Sequence, residues 1–151
     1  LRLITDLVNH DYDKKQSQTS IKNALEFASK ISRRKNVMFV ISDFMDDNFW
    51  TEMKYLNFNH DVIGIQIYDL FEKEFPDLGL MKVHNSESNE RVWIDTSNEK
   101  VRLDFSKDFS ERLNTFAQRC KNIGFDLLQI GTNEDYIKAL TRFFKRRAKR
   151  T

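Results

Sequence analysis

Three short, largely apolar runs, at residues 37–41, 62–68 and 125–130, constrain this chain more than any other feature. A strand with one wet face alternates apolar and polar residues. A run that stays apolar suits a parallel strand covered on both faces. Segments with helical spacing lie between these runs. Ile21, Ala24, Leu25, Ala28 and Ile31 precede the first, and Phe49, Trp50, Met53 and Leu56 follow it. The strongest periodicity is Phe105, Phe109, Leu113, Phe116, Cys120 and Ile123, stepping by four, four, three, four and three. Helices alternating with buried strands predict an α/β sheet of mostly parallel order.

Local signals refine this outline. Asp46 or Asp47 is placed to cap the helix that carries Met53. Phe75-Pro76-Asp77 is a turn signal. The segments 80–83 and 91–94 flank a polar stretch, 85–89, and predict a hairpin. Gly124 can end the long helix. Thr132 and Asp135 have capping-box-like spacing before a helix with Ile137, Leu140, Phe143 and Phe144. Leu1, Leu3, Ile4, Leu7 and Val8 fit an amphipathic helix, and 11–18 reads as a polar loop. Phe109, Phe116 and Leu140 are expected in the core, with Phe143 or Phe144 beside them.

The 151 residues suffice for one domain and not for two ordinary ones. Net charge is only +2, so no global field calls for a nucleic acid or a membrane. The positive charge is local: Arg142, Lys145, Arg146, Arg147, Lys149 and Arg150 crowd the C-terminus. Cations there complement a helix dipole. Cys120 is the only cysteine, which rules out an intramolecular disulfide and fits a reducing compartment. On the apolar face of its helix it reads as a buried structural thiol. The strongly apolar run 37–41 is far short of the roughly 20 residues of a membrane helix. No secretory signal is visible. The chain opens at Leu1 in helix-like sequence, without methionine, and is expected to be a piece of a longer protein.

Five stretches, taken in order, resemble one family. They are Gln18-Thr19-Ser20-Ile21 running into Ala24-Leu25-Glu26-Phe27; Val40-Ile41-Ser42-Asp43-Phe44; His60-Asp61-Val62-Ile63 leading to Tyr68-Asp69; Trp93-Ile94-Asp95-Thr96-Ser97; and Gly131-Thr132-Asn133-Glu134-Asp135-Tyr136 before Ala139-Leu140 and Phe143-Phe144. Together they resemble the MoxR-associated bacterial family of von Willebrand factor A-like (vWA-like) proteins, uncharacterised domain family fifty-eight, across essentially the whole chain. The resemblance implies a doubly wound, mostly parallel sheet with helices on both faces and a small β-hairpin insertion. Residues 1–151 would be the C-terminal part of one such domain, whose first strands precede Leu1.

The resemblance also implies a metal-ion-dependent adhesion site. Such a site takes an Asp-x-Ser-x-Ser loop, a later threonine and an aspartate after the fourth strand. Thr19 matches the threonine and Asp43 the aspartate. The Asp-x-Ser-x-Ser loop is absent, and Ser17-Gln18 stands where the family usually has glycine. Asp104-Phe105-Ser106 and Asp108-Phe109-Ser110 start the pattern, but Asp108 and Arg112 break it inside a helix. Magnesium wants six oxygen ligands in near-octahedral order. It is therefore expected only in the full-length protein, with no tight binding to this fragment. Taken without the resemblance, Thr19 is a helix cap and Asp43 a cap or turn residue.

The other candidates read as structure. His10, His60 and His84 are scattered and form no His-Glu-x-x-His. Trp50 and Trp93 suit the core or a sheet face. No P-loop occurs, and Asp43-Phe44-Met45-Asp46 lacks the Asp-x-Asp of a phosphoryl-transferring aspartate enzyme. The implied function is a cytoplasmic, non-enzymatic interaction module. It would work with a MoxR-type AAA+ ATPase and client proteins in maturation or assembly. One rival is a binder of nucleic acid or anionic surfaces through the basic cluster, marked by steep salt dependence. The other is a hydrolase, for which the sequence offers no set of nucleophile, base and oxyanion donors. Without the preceding strand, the run 37–41 is expected either to self-associate through its open edge or to be shielded by residues 1–10.

Overall fold

A computed structural model describes residues 20–74, 76–84 and 91–150. The three apolar runs become strands β1 (Val37–Ser42), β2 (Asp61–Tyr68) and β5 (Asp126–Gly131). They form one parallel sheet in the order β1-β2-β5, with Val40 opposite Gly64 and Gly64 opposite Leu127. Parallel neighbours need crossovers. Helix α2 (Trp50–Asn59) supplies the first, preceded by α1 (Ile21–Ile31). The second is longer. It contains α3 (Leu70–Lys73), the antiparallel pair β3 (Leu80–His84) and β4 (Arg91–Asp95), and the long helix α4 (Glu99–Asn122). Helix α5 (Tyr136–Ala148) follows β5. The α/β class, the parallel order and the hairpin expected from sequence are all present.

Each sheet face buries its own cluster. On one face Val62 and Phe125 meet Ile21 and Leu25 of α1, Met53 and Leu56 of α2 and Cys120 of α4, with Phe44 and Phe49 from the intervening loop. On the other face Ile63, Ile65, Leu128 and Ile130 meet Ala139 and Phe143 of α5. Phe109 is buried, Phe116 is half-buried against Phe44, Phe49 and Trp50, and Leu140 is half-buried on the second cluster. Phe143 takes the core position, while Phe144 stays 40% exposed. Trp50 stacks on Phe49 beneath the Arg119 guanidinium, which lies 4.0 Å from its ring centre. Trp93 lies on the hairpin, 60% exposed, with the Lys82 ammonium over its ring. His60 is buried, and its Nδ1 accepts from the Asn36 N–H.

Three local expectations need correction. Neither Asp46 nor Asp47 caps α2: Phe49 holds the cap position and makes no side-chain cap bond, and Asp46 accepts instead from the Asn48 N–H. Thr132 does not cap α5. Asp135 does, accepting from the Lys138 N–H, and this bond holds its carboxyl below the usual range. The third concerns β1, expected to be buried on both faces. Val37, Phe39 and Ile41 are 59%, 51% and 62% exposed, because the buried residues of α5 pack on β2 and β5, and over β1 the helix offers only the Phe144 ring, edge-on to Phe39 at 6.3 Å. Gly124 does end α4, with φ +67°. The expected segment with Leu1, Leu3, Ile4, Leu7 and Val8, the loop 11–18, Thr19 and the stretch 85–89 lie outside the described residues.

Candidate functional site

All three parallel strands end on the same side of the sheet, the side on which α/β sheets hold their ligands. Asp43 leaves β1 there with its side chain exposed. Its loop is bent through Phe44, the one non-glycine residue with positive φ among those described, at +56°. Such a backbone costs about 1–3 kcal/mol and persists only when its surroundings hold it. Here the ring does the holding. Phe44 is buried, 5.0 Å from Phe116 and 5.7 Å from Phe49 between ring centres. Short polar bonds close the turn. Ser42 Oγ accepts from the Phe44 N–H at 3.1 Å and donates to Asp43 Oδ1 at 3.3 Å, and that oxygen also accepts from the Met45 N–H.

The loop is also fastened from behind. Gln66 Nε2 donates to the Asp43 carbonyl at 3.0 Å, and Gln66 Oε1 accepts from Gln129 Nε2 at 2.9 Å. Gln129 Nε2 reaches the Leu113 carbonyl of α4 as well, at 3.0 Å. One line of amides thus joins α4, β5, β2 and the Asp43 loop. Two glutamines inside otherwise apolar strands are the sequence signal for it. Across the same end, Tyr68 donates to Glu134 at 3.1 Å. Burial, followed by the charge and hydrogen bond of Glu134, pushes the Tyr68 hydroxyl up.

Of the two residues that the family resemblance points to, Asp43 stands at the end of β1 and Thr19 lies outside the described residues. Among the described residues, no three His, Cys, Asp or Glu side chains converge to hold a metal ion. Asp43 alone, with one oxygen already accepting two bonds, does not fit a resident magnesium. The basic cluster is partly turned inward: Arg147 pairs with both Asp61 and Asp126, and Arg150 with Asp126. No helix among the described residues is long and apolar enough to cross a membrane.

A parallel α/β domain with a pinned acidic loop at the carboxyl ends of its strands is the class defined so far. The chain belongs to the family described as "Protein of unknown function DUF58", whose model matches residues 1–114. It is 26% identical over 125 residues to the uncharacterized Mycobacterium avium protein MAV169, covering 82% of this chain and 73% of that protein. It is 25% identical over 123 residues to uncharacterized proteins Mb1516 of Mycobacterium bovis and Rv1480 of Mycobacterium tuberculosis, covering 80% of this chain. The chain spans only 38% of the length of each of these two. No solved structure gives a significant match.

Proposed function

We propose that this chain is the later part of a vWA-like, non-enzymatic interaction domain, working in the cytoplasm with a MoxR-type AAA+ ATPase on client proteins. The observation that carries the reading is the exposed Asp43 carboxylate at the strand end, on a strained loop held by the Phe44 ring and the Gln66 amide. An acid presented on a preorganised backbone suits recognition of cationic or hydrogen-bonding groups. Such recognition needs no nucleophile and no leaving group. Magnesium belongs to this reading only in the intact protein, where other residues must supply the remaining ligands.

The test is capture of the MoxR-type ATPase by the intact protein, with magnesium and with EDTA. Asp43→Ala is expected to fold normally and to weaken capture by roughly tenfold or more, as for a central contact. If the variant mainly unfolds, Asp43 is a structural residue and the reading fails. Capture that is unchanged in the folded variant refutes it equally.

A further inference from the structure

Strand β5 pairs with β2 on one side only, so among the described residues its other edge carries unpaired backbone groups. A groove of about 340 Å³ lies along that edge, between the end of α4 and the end of α5. The α4 wall brings Ala117 and Lys121, the α5 wall brings Phe143 and Arg146, and the turn after α5 brings Arg150. Asp126 is the one carboxylate in the lining. Its oxygens are already engaged, Oδ2 by Arg147 Nε at 3.2 Å and Oδ1 by Arg150 at 3.6 Å. Lys121 and Arg146 stand exposed on opposite walls.

The charge balance decides what the groove prefers. Lys121, Arg146, Arg147 and Arg150 line it. Against them stand Asp126, the Asp61 carboxylate paired with Arg147, and two helix C-termini worth about half a negative charge each. A positive excess of about one charge remains. Dipole complementation explains each cation singly. It does not require them to face one another across an open strand edge.

We propose that this groove takes an extended acidic segment of a partner protein, added as a strand along β5. Side chains of an added strand point alternately to its two faces, here to the α4 wall and the α5 wall. Both walls are basic, so acids are favoured on both faces of the incoming strand. A second copy of this edge would bring like charges together, which disfavours self-pairing here. The site is separate from the Asp43 loop and does not depend on its role.

Fluorescence anisotropy with a labelled oligoglutamate peptide tests this, with an oligolysine peptide as control and hydrogen exchange on β5 as a second readout. Saturable oligoglutamate binding is expected, with slowed exchange of β5 amides. Lys121→Glu combined with Arg146→Glu should lower the affinity roughly tenfold or more at unchanged melting temperature. If that pair perturbs folding, Lys121→Gln with Arg146→Gln gives the same comparison, with a smaller loss. No saturable binding, or equal binding by the folded variants, overturns the proposal. Displacement by pyrophosphate without protection of β5 amides also overturns it, because the groove is then a small-anion site.

Discussion

The side-chain amide of Gln66 donates to the backbone carbonyl of Asp43 across 3.0 Å, tying the middle strand to the loop that leaves β1. Gln66→Leu removes that donor and also the acceptor for Gln129. Leaving these partly buried groups unsatisfied is expected to cost about 1–3 kcal/mol. Urea denaturation measures the loss, and hydrogen exchange should show the Met45 amide opening faster. A variant as stable as the parent with an unaltered loop would mean that the Phe44 ring alone sets this turn.

Gly64 sits mid-sheet, where a Cβ would come 2.6 Å from two ring carbons of Phe125. Phe125 is buried and cannot swing into solvent. Gly64→Ala is therefore expected to destabilise by about 1–3 kcal/mol through overpacking. Phe125→Leu in the same chain should recover part of it. Thermal melts of the two single variants and the double variant read the coupling, and strictly additive losses would contradict it.

Cys120 is fully buried, and burial pushes its thiol up to about 12. At pH 8 the native chain is expected to resist a thiol reagent, while the chain in denaturant reacts fully. The folded state keeps the proton where the unfolded thiol has already lost it. Stability is therefore intact below the ordinary thiol range and falls as pH rises from there towards about 12. Rapid native labelling at pH 8 would show that the α4 end opens readily.

Among the described residues β1 has β2 as its sole neighbour, and it exposes Val37, Phe39 and Ile41. An apolar open edge is a template for another chain. The isolated chain is expected to self-associate with rising concentration in light scattering. Ile41→Lys should suppress this without unfolding the domain. A monomer at every concentration would mean that another part of the chain shields the edge.

The sheet was legible because strands covered on both faces leave unmistakable apolar runs, as 62–68 does. The same rule misled at β1: Val37, Phe39 and Ile41 carry a core composition although α5 only grazes them, through the Phe144 ring on Phe39. Composition records the surface a strand is built to bury, not the cover at hand. Caps were less legible, since Thr132 and Asp135 both precede α5 and only backbone geometry selects Asp135. At the candidate site, Asp43 was visible through family resemblance. The left-handed Phe44 and the amide line through Gln66 and Gln129 were not. A backbone angle leaves no mark in a phenylalanine, and a glutamine in a strand does not announce its partner.

The pairing pattern of β2 also orders the assembly of the chain. Val37 pairs with Asp61, 24 positions on, whereas Ile63 pairs with Asp126, 63 positions on. Closing the longer loop costs about 0.9 kcal/mol more in chain entropy. The parallel βαβ unit β1-α2-β2 should therefore form early, with β5 and α5 docking onto it last. Trimming a side chain in the early unit, such as Leu56→Ala, should slow refolding, and Phe143→Ala should mainly speed unfolding. The α5 flank is then where the native molecule first comes apart, and transient loss of that helix would lay bare the Ile63 and Leu128 face while the Asp43 loop stayed folded.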